Sequence, residues 1–165
     1  MTDTKSHSLE SEQKILVVAN ETVEGTSLPH EIRARPADVL VVAPALNSRL
    51  RHWVSDEDDA RRRAAVRLAT CIERLARAGI EASGLVGDPD PLQAITDALR
   101  RFPADEIMIA THPEGRPHWL ARDLIRRARR RFSQPIVHVV AGSVDGRAPV
   151  ESTKAFETRP QTTAA

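Results

Sequence analysis

Residues 87–115 read GDPDPLQAITDALRRFPADEIMIATHPEG. The stretch divides into a turn, a helix, an apolar strand from Glu106 to Thr111, and a loop that opens on His112-Pro113 and closes on Gly115. A strand that is apolar along its length and flanked by helices belongs to a parallel sheet covered on both faces. In such sheets ligands sit just beyond the carboxyl ends of the strands, where the strand order reverses. The loop after Ala110 is therefore the place to look for function.

The same alternation extends to either side. Lys14–Ala19 (KILVVA) and Asp38–Ala43 (DVLVVA) are continuous β-rich runs, Ile80–Val86 is a weaker one, and Pro135–Ala141 (PIVHVVA) is the last. The gaps between them carry helical spacing. Asp56–Ala78 places Ala65, Leu68, Ala69, Ile72, Leu75 and Ala76 on one face, with Ser55 as its N-cap and Gly79 as its stop. Its acidic start, Asp56–Asp59, suits the positive end of a helix and needs no bound cation. A second helix opens at Asp90-Pro91, with proline at the first helical position and Leu92, Ile95, Leu99 and Phe102 inward. A third runs from His118 to Arg131, with Leu120, Leu124, Ile125, Ala128 and Phe132 inward, and Val23–Arg35 holds a shorter one. The order implied is β-α-β-α-β-α-β-α-β, a doubly wound parallel α/β sheet with right-handed crossovers. Residues 1–13 and 142–165 are polar and aperiodic, and are expected to be disordered tails flanking a single domain at 14–141.

Composition narrows the function classes. The chain has 165 residues and a formal net charge of +1, so no global field draws in nucleic acid. Aromatics are few (Trp53, Trp119, Phe102, Phe132 and Phe156), which leaves the core to Val, Ile, Leu and Ala. The lone Cys71 lies near the inward stripe of its helix and reads as a packing residue, and its use fits a reducing cytoplasm. No apolar run reaches the roughly 18 residues that a membrane span needs. His52, His112, His118 and Asp123 lack zinc-site spacing, so no metal is expected. No nucleophile–base–orienter constellation is recognisable, so no catalytic residue is assigned.

Taken in order, KILVVANET, ADVLVVAP, the GDP turn, IMIATH and PIVHVV resemble the universal stress protein family over residues 14–141. The resemblance implies five parallel strands in the order 3-2-1-4-5, helices on both faces, and a switch point beside Asn20 and His112. ATP-binding members of that family carry an acidic residue after the first strand. After the fourth they carry two glycines separated by two residues, then nine residues on a glycine followed by Ser or Thr. Here Asn20 holds the acidic position, Ala110 and Pro113 the glycine positions, and Arg122, Asp123 and Leu124 the region of the last pair. Proline removes a donor N–H, and Asp123 would oppose a phosphate. ATP binding in the usual mode is not expected, and no cofactor is assigned.

The resemblance implies a non-catalytic, stress-related binding or interaction module whose nucleotide site is degenerate. The alternative is a sensor of a nucleotide or small anion at the carboxyl edge, between Asn20 and Gly115. Candidate ligand residues are Asn20, Thr22, Val42, Thr111, His112, Gly115, Arg116, His118 and Trp119. In this reading tryptophan stacks, histidine hydrogen-bonds and Arg116 meets an anion, although a tryptophan also caps a core well wherever it lands. Nucleic acid is not expected as a partner, because the arginine runs at 61–63 and 126–131 lack interleaved aromatics for stacking. A homodimer is expected through the last strand, by Ile136, Val137, His138, Val139 and Val140, whose edge carries no lysine or proline to discourage pairing. Two copies of His138 near its axis would weaken it as pH falls through about 6.5.

Overall fold

The computed structural model describes residues 12–20, 27–33, 36–46, 56–112 and 118–140. The elements are β1 (Gln13–Ala19), α1 (Ser27–Arg33), β2 (Ala37–Pro44), α2 (Asp56–Arg77), β3 (Ala82–Gly87), α3 (Pro91–Arg101), β4 (Glu106–Thr111), α4 (His118–Arg131) and β5 (Ile136–Val140). All neighbouring strands pair in parallel, in the order β3-β2-β1-β4-β5. The expected architecture is the one found.

Strand alternation divides the core into two layers. Ile15, Val17 and Ala19 face a cluster with Leu28 and Ile32 of α1 and Cys71 and Leu75 of α2. Leu16 and Val18 face the opposite cluster, with Leu92, Ile95 and Ala98 of α3 and Leu124, Ile125 and Ala128 of α4. β1 and β4 lie inside the sheet and are buried on both faces, which is why both read as unbroken apolar runs. The chain moves outward from β1 to β3 with α1 and α2 on one face, then crosses back with α3 on the other. That reversal puts the switch point between the carboxyl ends of β1 and β4.

Local chemistry sets the boundaries. The Asp90 carboxylate caps α3 by accepting from the Leu92 N–H at 3.1 Å, and Pro91 fills the first turn. Asp88 Oδ1 accepts from the Asp90 N–H at 2.8 Å, so both aspartates of the GDP turn are committed to the loop. Gly79 adopts φ +77° and stops α2. Gly84 lets α2 close on β3: a Cβ there would lie 2.6 Å from Leu68 Cδ1 and 2.7 Å from Ile72 Cδ1.

α1, at Ser27–Arg33, is the shorter helix expected within Val23–Arg35. Two expectations need correction. Gln13, expected to belong to the N-terminal tail, is the first residue of β1. The buried line of α2 is Ala60, Ala64, Cys71 and Leu75, with Leu68 and Ile72 half-buried beside it, while Ala65, Ala69 and Ala76 are exposed. Alanine carries too little apolar area to fix a helix face, so the rotation of α2 follows its larger side chains and the fit over Gly84. The Ser55 cap and Trp53 lie outside the described residues.

Candidate functional site

The carboxyl edge is built from chain positions just past the apolar strands. Ala19 of β1 pairs with Ala110 of β4, so the next residues, Asn20 and Thr111, come side by side. By alternation both continue the row of Val18 and Ile109, on the α3/α4 face. Asn20 is 7% exposed and Thr111 4%. The Asn20 side-chain oxygen, Oδ1, is shielded from solvent and has no hydrogen-bond partner among the described residues. A buried acceptor in that condition costs about 1–3 kcal/mol.

Thr111 has a partner on the other side. Its Oγ1 lies 2.8 Å from Nε2 of His138, which stands opposite Ile109 on β5. The row Asn20, Thr111, His138 thus crosses three adjacent strands on one face, from the switch point to the sheet edge. Partial burial holds the His138 imidazole below its ordinary value of 6.5, and the neighbouring Arg129 lowers it further. The histidine is therefore mainly neutral at pH 7, and its titration lies below the 6.5 expected from sequence. On the far side of the switch point, Arg67 of α2 donates from Nη2 to the Pro44 carbonyl at 2.5 Å, bringing a guanidinium to the end of β2.

The other candidates separate by place. His112 follows β4 directly and is half-buried. Val42 is fully buried and packs in the α3/α4 layer, so its side chain belongs to the core. Thr22, Gly115 and Arg116 lie outside the described residues, and His118 and Trp119 form the first positions of α4. Asp123 sits inside α4, paired with Arg126 at 2.5 Å, and Leu124 is buried in the core. The region of the expected last glycine and hydroxyl is thus an ordinary helical turn with its backbone N–H groups turned inward along the helix. In β5, Val139 is buried, Ile136 and Val137 are half-buried, and His138 and Val140 are exposed.

The sequence reading missed the link between His138 and Thr111. Strand order 3-2-1-4-5 sets β5 beside β4, but only the register found, with Ile109 opposite His138, puts residues 111 and 138 on one face. Nothing in the sequence marked Arg67, because its role depends on how far α2 leans over β2. Elsewhere, burial pushes the Cys71 thiol up to about 11 against a smaller lowering by Arg74, which leaves it a packing group and a poor nucleophile. Among the described residues no group of three His, Cys, Asp or Glu side chains could hold a metal, and no helix is long and apolar enough to cross a membrane.

A five-stranded parallel sheet in this order, with its switch point between β1 and β4, defines a doubly wound α/β protein of the Rossmann-like type. More narrowly, the chain has the universal stress protein fold. It superposes on the universal stress protein of Archaeoglobus fulgidus in complex with dAMP with a TM-score of 0.52 at 18% identity, over 78% of this chain and 97% of that one. A universal stress protein family member from Burkholderia pseudomallei gives 0.53 at 18% identity, over 77% and 95%. An Arabidopsis thaliana protein of the family, with AMP bound, gives 0.51 at 10% identity, over 79% and 93%. No protein-family model and no curated protein matches the sequence.

Proposed function

We propose that the chain is a non-catalytic binding module of the universal stress protein type, acting as a homodimer. Its carboxyl-edge site takes a small polar ligand but no longer grips a triphosphate. The observation that carries the reading is the buried Asn20 oxygen beside Thr111 at the switch point, unpartnered among the described residues. A ligand that donates an N–H or O–H to Oδ1 would recover the cost of burying it, and Thr111 supplies a second polar contact. Nucleosides and nucleoside monophosphates carry such donors, and two of the similar structures hold dAMP and AMP.

The phosphate end argues against ATP. Ala110 and Pro113 stand where two glycines would admit phosphate oxygens to backbone N–H groups, and the region of the last glycine and hydroxyl holds Arg122, Asp123 and Leu124 within α4. The edge strand β5, with Val140 exposed and no strand on its outer side among the described residues, supports pairing with a second copy through Ile136–Val140, although the Val140 carbonyl already accepts from Ser27 Oγ at 3.2 Å. Cytoplasmic residence and a role under stress belong to the same proposal.

Calorimetry on the purified chain tests it. AMP or adenosine should bind, and Asn20→Leu should abolish that binding. ATP with magnesium should not saturate below roughly 1 mM, where the binding free energy is only about 4 kcal/mol. Micromolar ATP affinity, or nucleoside binding indifferent to Asn20→Leu, would overturn the reading of the site. Sedimentation at micromolar concentration tests the dimer separately, and a monomer at neutral pH refutes it.

A further inference from the structure

Charge in this chain is unevenly placed. The whole sequence carries a formal +1, yet α4 alone holds six arginines (122, 126, 127, 129, 130 and 131) against one carboxylate, Asp123. All six arginines are exposed, because Leu124, Ile125 and Ala128 take the buried side and leave the opposite face to charge. In the other long helices arginines meet acids on their own helix: Arg62 with Asp59, Arg77 with Glu73 and Arg100 with Asp97. In α4 that relief reaches only Arg126, through Asp123.

The spacing sharpens the imbalance. Arg122, Arg126 and Arg130 follow at i, i+4 and i+8, a run of about 12 Å along the helix axis, and Arg127 and Arg131 form a second like-charged pair. Each such pair opposes helix formation. The negative end of the helix dipole favours Arg129, Arg130 and Arg131 in the last turn, but it does nothing for Arg122 near the other end. α3 packs beside α4 on the same face, and its last turn adds Arg100 and Arg101 at the amino edge of the sheet. The last turns of both helices lie at the opposite end of the sheet from Asn20 and Thr111.

We propose that the exposed face of α4 binds the phosphate backbone of double-stranded nucleic acid, without reading its sequence. Guanidinium forks match phosphate oxygens two at a time, and a row of them on a rigid helix matches a duplex in charge density. The lack of stacking aromatics, which speaks against a single strand, is no obstacle to a duplex whose bases stay stacked. A lipid surface fits less well. The exposed large hydrophobic side chains among the described residues are Val66 and Val140, and neither lies on α4 to enter a bilayer.

Fluorescence anisotropy with the full chain and a labelled 20-base-pair DNA of mixed sequence tests the proposal. Binding is expected at 50 mM salt, with a log–log salt slope of about −3.6 or steeper, as contact with four or more phosphates requires. Arg122→Gln, Arg127→Gln and Arg130→Gln combined leave the Asp123–Arg126 pair in place and should weaken binding at least tenfold. The control Arg61→Gln, Arg62→Gln and Arg77→Gln removes equal charge from α2 and should change affinity less than twofold. Melting curves confirm that both variants fold, and the wild-type salt slope stands without either. No binding at 50 mM salt, a slope shallower than −2, or equal losses in the two variants would overturn the proposal. So would tighter binding of the single strand, displacement of the duplex by polyglutamate at equal charge, or α4-dependent capture by anionic vesicles in preference to DNA.

Discussion

Replacing Asn20 by leucine should make the ligand-free protein more stable, although the residue sits at the centre of the candidate site. The side chain is 93% buried by its 7% exposure, and Oδ1 is unpartnered among the described residues. Leucine has nearly the same volume and joins an apolar row that ends in Val18 and Ile109. The gain is the desolvation penalty removed, about 1–3 kcal/mol, less some loss from reshaping a polar edge, so about 1–2 kcal/mol is expected. For a folded unit of this size that raises Tm by roughly 3–8 °C. Urea unfolding of both proteins, with equal slopes to show that the denatured states match, measures the difference directly. A destabilisation above about 1 kcal/mol would show that the Asn20 amide is fully satisfied in the native state, and the argument for a ligand acceptor would fall with it. An opposition of this kind, stability gained and binding lost, is what a group held unpaired for a ligand produces.

Gly84→Ala should destabilise by about 1–3 kcal/mol, because the new methyl meets Leu68 and Ile72 at 2.6 and 2.7 Å and α2 must shift or repack; denaturant unfolding reads it. Cys71 should resist a thiol reagent at pH 8 in the native protein and react on unfolding, while Cys71→Ser should cost about 1–3 kcal/mol by burying a hydroxyl in the apolar cluster. His138 binds its proton less readily when folded than when unfolded, so its contribution to stability is complete above the unfolded value near 6.5. That contribution is lost as pH falls from there toward the lower folded value; the pH dependence of unfolding in wild type should lessen in His138→Gln, and identical profiles would show that the imidazole is not perturbed. If the β5 dimer forms, its weakening in acid should likewise begin below pH 6.5, as sedimentation across pH 7 to 5 would show.

The sequence by itself determined the succession of strands and covering helices along the chain, while the order of strands in the sheet came from the family resemblance. Apolar runs of six residues such as KILVVA and EIMIAT are too short for buried helices and fit strands buried on both faces, and the 3.6-residue spacing between them fits covering helices. Caps and stops were also legible, because Asp90-Pro91 and Gly79 act through their own backbone geometry and need no distant partner. What the sequence left open depended on how neighbouring elements lean on one another. The rotation of α2 was decided by Leu68 and Ile72 closing over Gly84, not by its alanines. The Thr111–His138 bond joins residues 27 apart in sequence, and the burial of Asn20, its oxygen unpartnered among the described residues, arises only in the packed sheet. Local propensity and periodicity act within a few residues and so can be read along the chain. Burial, desolvation and the meeting of polar groups across strands are properties of the packed sheet, and they are where the site arises.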